Sequence, residues 1–99
     1  DFLIEIIYRL SQHVARQLAS EGIAGRTVKV KLRLSDFTTF TRQVTFSEPV
    51  DSAEVISSAS GRLLKEELQW GRLFRLVGVG VSGFKKQYEQ PLQLRLSGL

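Results

Sequence analysis

The first part of the chain has the apolar spacing of an amphipathic helix. Between residues 2 and 20, apolar side chains recur at steps of three and four, and one face collects Leu3, Ile6, Ile7, Leu10, Val14 and Leu18. Gly22 then stands where a residue with left-handed backbone would end the helix. The pattern therefore predicts a helix over about 2–20.

A second helix is predicted after Pro49. Asp51 is followed three residues later by Glu54, a spacing that resembles a capping box and favours the start of a helix. The helix would run to about Leu68, although Gly61 in its interior costs about 1 kcal/mol relative to Ala. Its inward face would be formed by Val55, Ile56, Ala59, Leu63 and Leu64. We expect Glu66-Glu67 on its solvated face.

Three other segments alternate as strands do. In the first, residues 26–35, the apolar set Val28, Val30, Leu32 and Leu34 alternates with Lys29, Lys31 and Arg33. This is typical of a half-buried strand with a cationic outer face. Asp36-Phe37 would form a tight connection to a second strand, residues 38–46, in which one face is shared by Thr39, Thr41, Gln43 and Thr45.

Arg42 interrupts the apolar side of that second strand, between Phe40 and Val44. A bulge or twist there would turn Arg42 outward. The third strand, about residues 72–82, has valines on one side and, on the other, Leu76, Gly78, Gly80 and Ser82. Small outward residues permit another backbone to come close.

The order helix, strand, strand, helix, strand predicts an α+β fold. We expect a mostly antiparallel sheet of three to four strands with two helices packed on one face. Residues 1–84 would form this domain and residues 85–99 a C-terminal tail. Two helices over only three strands are a lean arrangement, and we expect a further strand before Asp1.

Length and composition limit the classes of protein. The chain has 99 residues, 42% of them hydrophobic and 24% charged, which fits one globular domain. It has no Cys, which favours a reducing, intracellular compartment and excludes disulfides. No apolar run reaches the roughly 18 to 20 residues that span a bilayer, so no membrane partner is expected.

The side chains that catalysis needs are not grouped together. His13 is the single histidine, no P-loop is present, and no pair of carboxylates follows a strand as a magnesium site would require. Ser and Thr residues have no base and orienting acid beside them. We therefore expect neither catalysis nor a metal or cofactor site from this chain alone.

The basic residues are concentrated in the strand segments. The net charge is +4 overall and also +4 within residues 25–46, whereas residues 47–71 carry −3. Cations at two-residue spacing can meet phosphates about 6 to 7 Å apart. The contacts would come from Lys29, Lys31, Arg33, Thr39, Thr41, Arg42 and Arg75. The alternative is a merely solvated face, but the segregation of charge favours DNA or RNA binding, with the backbone of a duplex as the target.

Three segments together resemble a known family. They are residues 25–42 (GRTVKVKLRLSDFTTFTR), Val44-Thr-Phe46 and Arg75-Leu-Val-Gly-Val-Gly-Val-Ser82. They resemble the little-finger domain of Y-family translesion DNA polymerases, the bacterial DNA polymerase IV branch in particular. The resemblance extends over nearly the whole chain.

The resemblance implies a DNA-binding domain of an error-prone polymerase. It implies four strands backed by two helices, lying in the major groove of primer-template duplex in the bacterial cytoplasm, while magnesium and nucleotidyl transfer belong to another domain of the parent. By position, the implied backbone contacts are Thr41, Arg42, Arg75, Gly78, Gly80 and Ser82. Leu76 and Gly80 stand where some relatives have Arg, so contacts there would be weaker or made by main-chain amides.

The tail resembles the sliding-clamp peptide in which such polymerases often end. The form is Gln-Leu-x-Leu followed by a bulky apolar residue. Gln93-Leu-Arg-Leu96 matches its first half, and Leu99 would be the terminal anchor, displaced by one residue relative to Gln-Leu-x-Leu-x-Leu. The implied clamp-binding residues are Gln93, Leu94, Leu96 and Leu99. The alternative is an extra strand, because Leu92, Leu94 and Leu96 also alternate.

Two other functions remain open at this point. The chain could be a protein-interaction module that binds a partner through its sheet edge or tail, with an incidental positive face. It could also be a small RNA-binding domain of similar architecture.

Overall fold

The structure is a computed structural model that describes residues 2–84. Its elements are α1 (Phe2–Glu21), β1 (Gly25–Leu34), β2 (Thr39–Val50), α2 (Ala53–Leu68) and β3 (Phe74–Phe84). The three described strands form one antiparallel sheet in the order β2-β1-β3. The predicted α+β class and element order are therefore confirmed.

The alternation in β1 builds the core. Val28, Val30 and Leu32 are fully buried. They lie opposite Val81, Val79 and Val77 of β3, so the apolar sides of the two strands coincide. The helices cover this side with Ile7, Val14, Leu18, Ile56 and Leu64. Both helices thus lie on one face, and the opposite face carries the lysines.

The helix ends are set by local hydrogen bonds. Gly22 has φ 65°, and the Ile23 N–H donates to the Leu18 carbonyl at 3.0 Å, which confirms the predicted left-handed end of α1. α2 begins differently from the prediction. Its capping residue is Ser52 and not Asp51, because the Ser52 Oγ accepts the Val55 N–H at 3.2 Å.

β2 is longer than predicted. It continues through Pro49 to Val50, and between the pairs Thr27–Thr45 and Gly25–Val50 five steps along β2 match two along β1. Pro49 has no N–H to donate, and an irregular stretch of a strand at the sheet edge tolerates that loss. The irregularity therefore lies at this end of β2.

Small residues line the contact between the helices. Ser11 and Ser60 are buried with their hydroxyls 3.3 Å apart, and each donates to the carbonyl four residues earlier. Val55, predicted to face inward, is 37% exposed instead. Neither α1 nor α2 combines the length and the apolar character that a membrane-crossing helix requires.

Candidate nucleic-acid interface

The face of the sheet opposite the helices is ordered in rows that run across the strands. We call it the outer face. Register places its members side by side from β2 through β1 to β3, in the rows Thr45–Thr27–Ser82, Gln43–Lys29–Gly80, Thr41–Lys31–Gly78 and Thr39–Arg33–Leu76. Hydroxyls and an amide thus stand on one side of the central strand, and mostly small residues on the other.

Lys29, Lys31 and Arg33 form a line down the middle of the outer face, which we call the cationic column. Neighbours in the column are about 6.6 Å apart along the strand. Among residues 2–84, no carboxylate forms an ion pair with any of the three. The column therefore presents positive charge that the described part of the chain does not neutralise.

Hydroxyl groups of β2 support the column. The Arg33 Nε–H donates to the Thr39 Oγ1 at 3.0 Å, which orients the guanidinium. Within residues 2–84 its terminal nitrogens have no acceptor, and both can donate to a ligand. The Thr27 and Thr45 hydroxyls lie 3.1 Å apart. Thr41 is exposed beside Lys31. Both strands thus supply phosphate-compatible donors.

On the β3 side of the outer face, two glycines leave the surface without protruding side chains. Gly78 and Gly80 lie next to Lys31 and Lys29, and neither has a side chain to shield the lysine. Gly78 is buried, whereas Gly80 and Ser82 are half-buried. Their predicted contacts with DNA remain predictions.

Arg42 does not belong to the outer face. It pairs with Val30, whose side chain points to the core, and the β1–β2 register is continuous from Thr27 to Arg33. The expected outward turn at Arg42 is therefore wrong, because no bulge occurs at that position. Its guanidinium lies on the helix side and is engaged there.

The partner of Arg42 is Glu67. The Arg42 Nε donates to the Glu67 Oε2 at 3.0 Å, and a terminal nitrogen of Arg72 donates to the Oε1 at 3.2 Å. Both guanidinium groups lie over the Phe40 ring, at 4.5 and 5.5 Å from its centroid. Glu67 is only 8% exposed, so the expectation of a solvated Glu66-Glu67 pair is wrong for Glu67.

Arg75 lies at the end of the sheet and not in a row. Arg33 pairs with Leu76 and Leu34 with Phe74, so Arg75 is an extra residue in the β3 ladder. Its guanidinium carbon lies 4.5 Å from the centroid of the Phe37 ring. The predicted contact between Arg75 and DNA remains a prediction.

Phe37 is a feature that the sequence reasoning missed. It lies in the β1–β2 turn with φ 71° and is 64% exposed. The signal in the sequence is a three-residue Ser-Asp-Phe connection with no glycine at the position that takes a left-handed backbone.

Hydrogen bonds fix this turn. The Phe37 N–H donates to the Leu34 carbonyl at 3.0 Å, and the Leu34 N–H donates to the Thr38 carbonyl at 2.9 Å. The Thr38 N–H donates to the Asp36 Oδ1 at 2.9 Å, and this bond lowers the pKa of the Asp36 carboxyl below its ordinary value of 3.8.

The geometry described so far includes neither a metal site nor the predicted clamp peptide. Across residues 2–84, no group of three or more His, Cys, Asp and Glu side chains is placed to hold a metal ion. The predicted clamp-binding residues Gln93, Leu94, Leu96 and Leu99 lie outside the described residues.

Sequence comparison identifies bacterial relatives. The chain is 38% identical over 90 residues to DNA polymerase IV of Streptomyces coelicolor and 42% identical over 82 residues to DNA polymerase IV 1 of Mesorhizobium japonicum. These alignments cover 91% and 83% of this chain but only 19% and 18% of the relatives. The DNA polymerase IV of Listeria monocytogenes is 35% identical over 97 residues, 98% of this chain and 27% of the relative. The chain thus spans between 18% and 27% of the length of these proteins.

Structure comparison agrees with the fold described above. A solved structure described as a complex of the beta-clamp processivity factor and the little finger domain of PolIV matches with a TM-score of 0.63 and 30% identity. The match covers 96% of this chain and 82% of the other. The family model of the impB/mucB/samB C-terminal domain matches residues 1–96. This chain therefore belongs to the impB/mucB/samB C-terminal domain family and has the fold of the little finger domain of a DNA polymerase IV.

Proposed function

We propose that the outer face grips the sugar-phosphate backbone of primer-template duplex DNA. The observation that carries this proposal is the cationic column, three positive side chains on one face with no acidic partner among residues 2–84. Positive groups that meet phosphates release condensed counterions, which drives binding without regard to base sequence.

The chemistry of the flanking residues supports backbone contact over base reading. Thr39 and Thr41 offer hydroxyls beside the column, and hydroxyls commonly bind phosphate oxygens. Reading a base edge in a duplex requires donors and acceptors that converge on that edge within the groove. A pleated face whose cations are spread about 6.6 Å apart is better suited to follow a strand of phosphates.

The relatives support a role within a larger enzyme. Because they are DNA polymerases, we propose that this domain holds DNA for an error-prone, translesion DNA-directed polymerase of the bacterial cytoplasm. Nucleotidyl transfer and its magnesium ions would then be the work of other domains of that protein, with the little finger keeping the duplex at their active site.

Charge reversal tests the proposed DNA contact. The triple variant Lys29→Glu/Lys31→Glu/Arg33→Glu should lose duplex binding in fluorescence anisotropy while its circular dichroism and melting remain those of a folded domain. The matched control is Arg16→Glu/Arg62→Glu/Lys65→Glu, which changes the net charge equally on exposed helix positions. The control should bind nearly as wild type, since its charges lie away from the outer face.

Two results would contradict the proposal. Unchanged affinity in the column variant would show that the face is wrong, and equal losses in both triple variants would show that only net charge matters. Competition with RNA duplex of the same sequence separates the RNA-binding alternative, because a domain suited to DNA should be displaced better by DNA.

A second candidate function is binding to a sliding clamp through the tail, residues 85–99. Its support is the Gln93-Leu-Arg-Leu96 pattern together with a similar solved domain that is in complex with a beta clamp. A pull-down on purified bacterial clamp should succeed with the wild type and fail with Gln93→Ala/Leu94→Ala/Leu96→Ala. The matched control is Gln87→Ala/Gln90→Ala; full binding by the first variant would assign any clamp contact to another part of the domain.

A further inference from the structure

The turn between β1 and β2 places an aromatic residue in an unfavourable backbone conformation. Phe37 has φ 71°, a left-handed value that is common for Gly and Asn but an outlier for a bulky residue. The three-residue connection Ser35-Asp36-Phe37 has the hydrogen bonds of a hairpin in which a glycine usually takes the third position. A glycine there would form the same turn without the strain.

Burial of the ring does not offset this strain. The side chain is 64% exposed, and it lies outside the core cluster and the residues packed against it. The contact that holds it is with Arg75, whose guanidinium stacks on the ring at 4.5 Å. Phe37 therefore lowers the stability of the turn while its ring stays outside the core. Residues with such unfavourable backbone angles are concentrated at functional positions.

The position of the ring relates it to the cationic column. Leu34 and Thr38, which close the turn, come directly after the Arg33–Thr39 row. The ring and Arg75 thus lie at the end of the sheet where the column ends. A DNA strand that follows the column past Arg33 would reach them next.

We infer that Phe37 is a stacking residue for an unpaired nucleobase at the point where the duplex becomes single-stranded. This inference rests on the proposed duplex binding by the outer face. A phenyl ring cannot hydrogen-bond to a base edge, so what it offers a nucleic acid is a surface for stacking. Inside a duplex both faces of each base are already covered by its neighbours, whereas an unpaired base has a face to offer.

Arg75 fits the same ligand. With one side of the ring occupied by its guanidinium, the remaining exposed surface of the ring is open to a base, and the guanidinium adds positive charge for the adjoining phosphate. Arg75 and Phe37 would then act as one unit that prefers a junction over a fully paired duplex.

Two DNA ligands test this inference. One is a blunt duplex; the other has the same duplex with a single-stranded 5′ overhang whose first unpaired base is 2-aminopurine. The wild type should bind the overhang ligand more tightly and quench the 2-aminopurine fluorescence, as stacking does. Phe37→Gly and Phe37→Asn should weaken overhang binding by roughly fivefold to a hundredfold, to the level of the blunt duplex, and abolish the quenching.

Stability and affinity should change in opposite directions in these variants. Gly and Asn accept φ 71°, so both variants should melt at a higher temperature than wild type even though they bind the junction less well. Phe37→Tyr keeps the ring and should retain both the preference and the quenching. The matched control is Trp70→Gly, which removes another exposed aromatic, 75% accessible, from the turn after α2 and should leave both ligands unaffected.

The possible failures are distinguishable. Equal binding of the two ligands by the wild type, or equal losses on both ligands in Phe37→Gly, would overturn the stacking role while leaving duplex binding in place. Binding of neither ligand by the wild type would overturn both the proposed function and this inference.

Discussion

Gly25 and Gly61 show how differently two glycines with ordinary backbone angles are used. A Cβ on Gly25 would lie 2.4 Å from the Ser82 carbonyl oxygen and 2.7 Å from the Val81 Cγ1, because β1 and β3 approach closely there. A Cβ on Gly61, in the interior of α2, would meet no atom of residues 2–84 within 4 Å apart from its chain neighbours and the adjacent backbone of its own helix. Close approach thus requires glycine at the first position and not at the second.

Alanine substitutions at Gly25 and Gly61 should change the free energy of unfolding in opposite directions. Gly61→Ala should raise the free energy of unfolding by about 1 kcal/mol, since glycine is a poor helix former. Gly25→Ala should lower it by about 1 to 3 kcal/mol through forced shifts of β3. Urea denaturation of both variants measures the two effects, and destabilisation by Gly61→Ala would show that α2 has no room there.

Asp36 adds a pH dependence to the turn. Its carboxylate accepts the Thr38 N–H, so its pKa in the folded chain lies below the ordinary 3.8. A lowered folded pKa means that the stabilisation is fully present above the unfolded pKa and is lost as the pH falls through the folded pKa.

The comparison variant is Asp36→Asn, which keeps an oxygen acceptor but does not titrate. The melting temperature of wild type relative to Asp36→Asn should therefore be constant from about pH 7 to pH 5 and decrease below about pH 4. The effect should be small, since Asp36 is exposed. A melting temperature of wild type that rises relative to that of Asp36→Asn as the pH falls would contradict the assignment of the hydrogen bond.

At the scale of elements, Glu67 connects α2 to β2 and to the segment before β3 through two ion pairs. It lies on α2, Arg42 on β2 and Arg72 in the connection to β3, and the Phe40 ring lies beneath both guanidinium groups. The Phe40 ring also makes an edge-to-face contact with Phe74 at the start of β3, with 6.1 Å between ring centroids. The cluster therefore fixes the position of the edge strand β2 relative to α2.

Removing the Glu67 charge should loosen this connection. Glu67→Gln leaves two guanidinium groups beside a neutral amide, and we expect a loss of about 1 to 2 kcal/mol; the side chains of Arg42 and Arg72 are 44% and 42% exposed, which limits the cost. Glu66→Gln, one residue earlier and exposed, is the control and should be neutral within about 0.5 kcal/mol. Chemical denaturation measures both, and equal effects would contradict the role given to the ion pairs.

The elements show what local sequence can predict. The period of two in Val28–Leu34 and the three- and four-residue steps in α1 depend only on which face is buried, so they predict the elements and the outer position of the lysines. Arg42 was misplaced because its partner Glu67 is 25 residues away, and alternation carries no information on such pairs. The cap predicted at Asp51 is one residue too early, because Asp and Ser both suit that position and residue type alone does not distinguish them.

At the scale of the whole molecule, charge is divided between the two faces of the sheet. The outer face has cations with no carboxylate partner in residues 2–84, while on the helix side Arg42 and Arg72 are both paired with the single carboxylate of Glu67. Composition alone indicates a basic chain, but the division by face follows from strand register. The positive φ of Phe37 could not be predicted from the sequence either, because residue type does not determine a backbone angle.

This division predicts how affinity should depend on salt. If all three cations of the cationic column neutralise phosphates, the logarithm of the association constant for duplex should fall against the logarithm of salt concentration with a slope of about −2.7. Lys31→Ala should reduce the steepness by about 0.9, since one phosphate contact is lost, and should weaken binding equally on duplexes of unrelated sequence. Lys65→Ala, which removes one exposed charge from α2, should leave the slope unchanged. Anisotropy titrations at four or more salt concentrations measure these slopes. An equal reduction of the slope in Lys31→Ala and Lys65→Ala would mean that binding responds to the net charge of the molecule and not to the outer face. Lys65 lies on α2, away from the outer face, so its removal cannot delete a local contact with DNA.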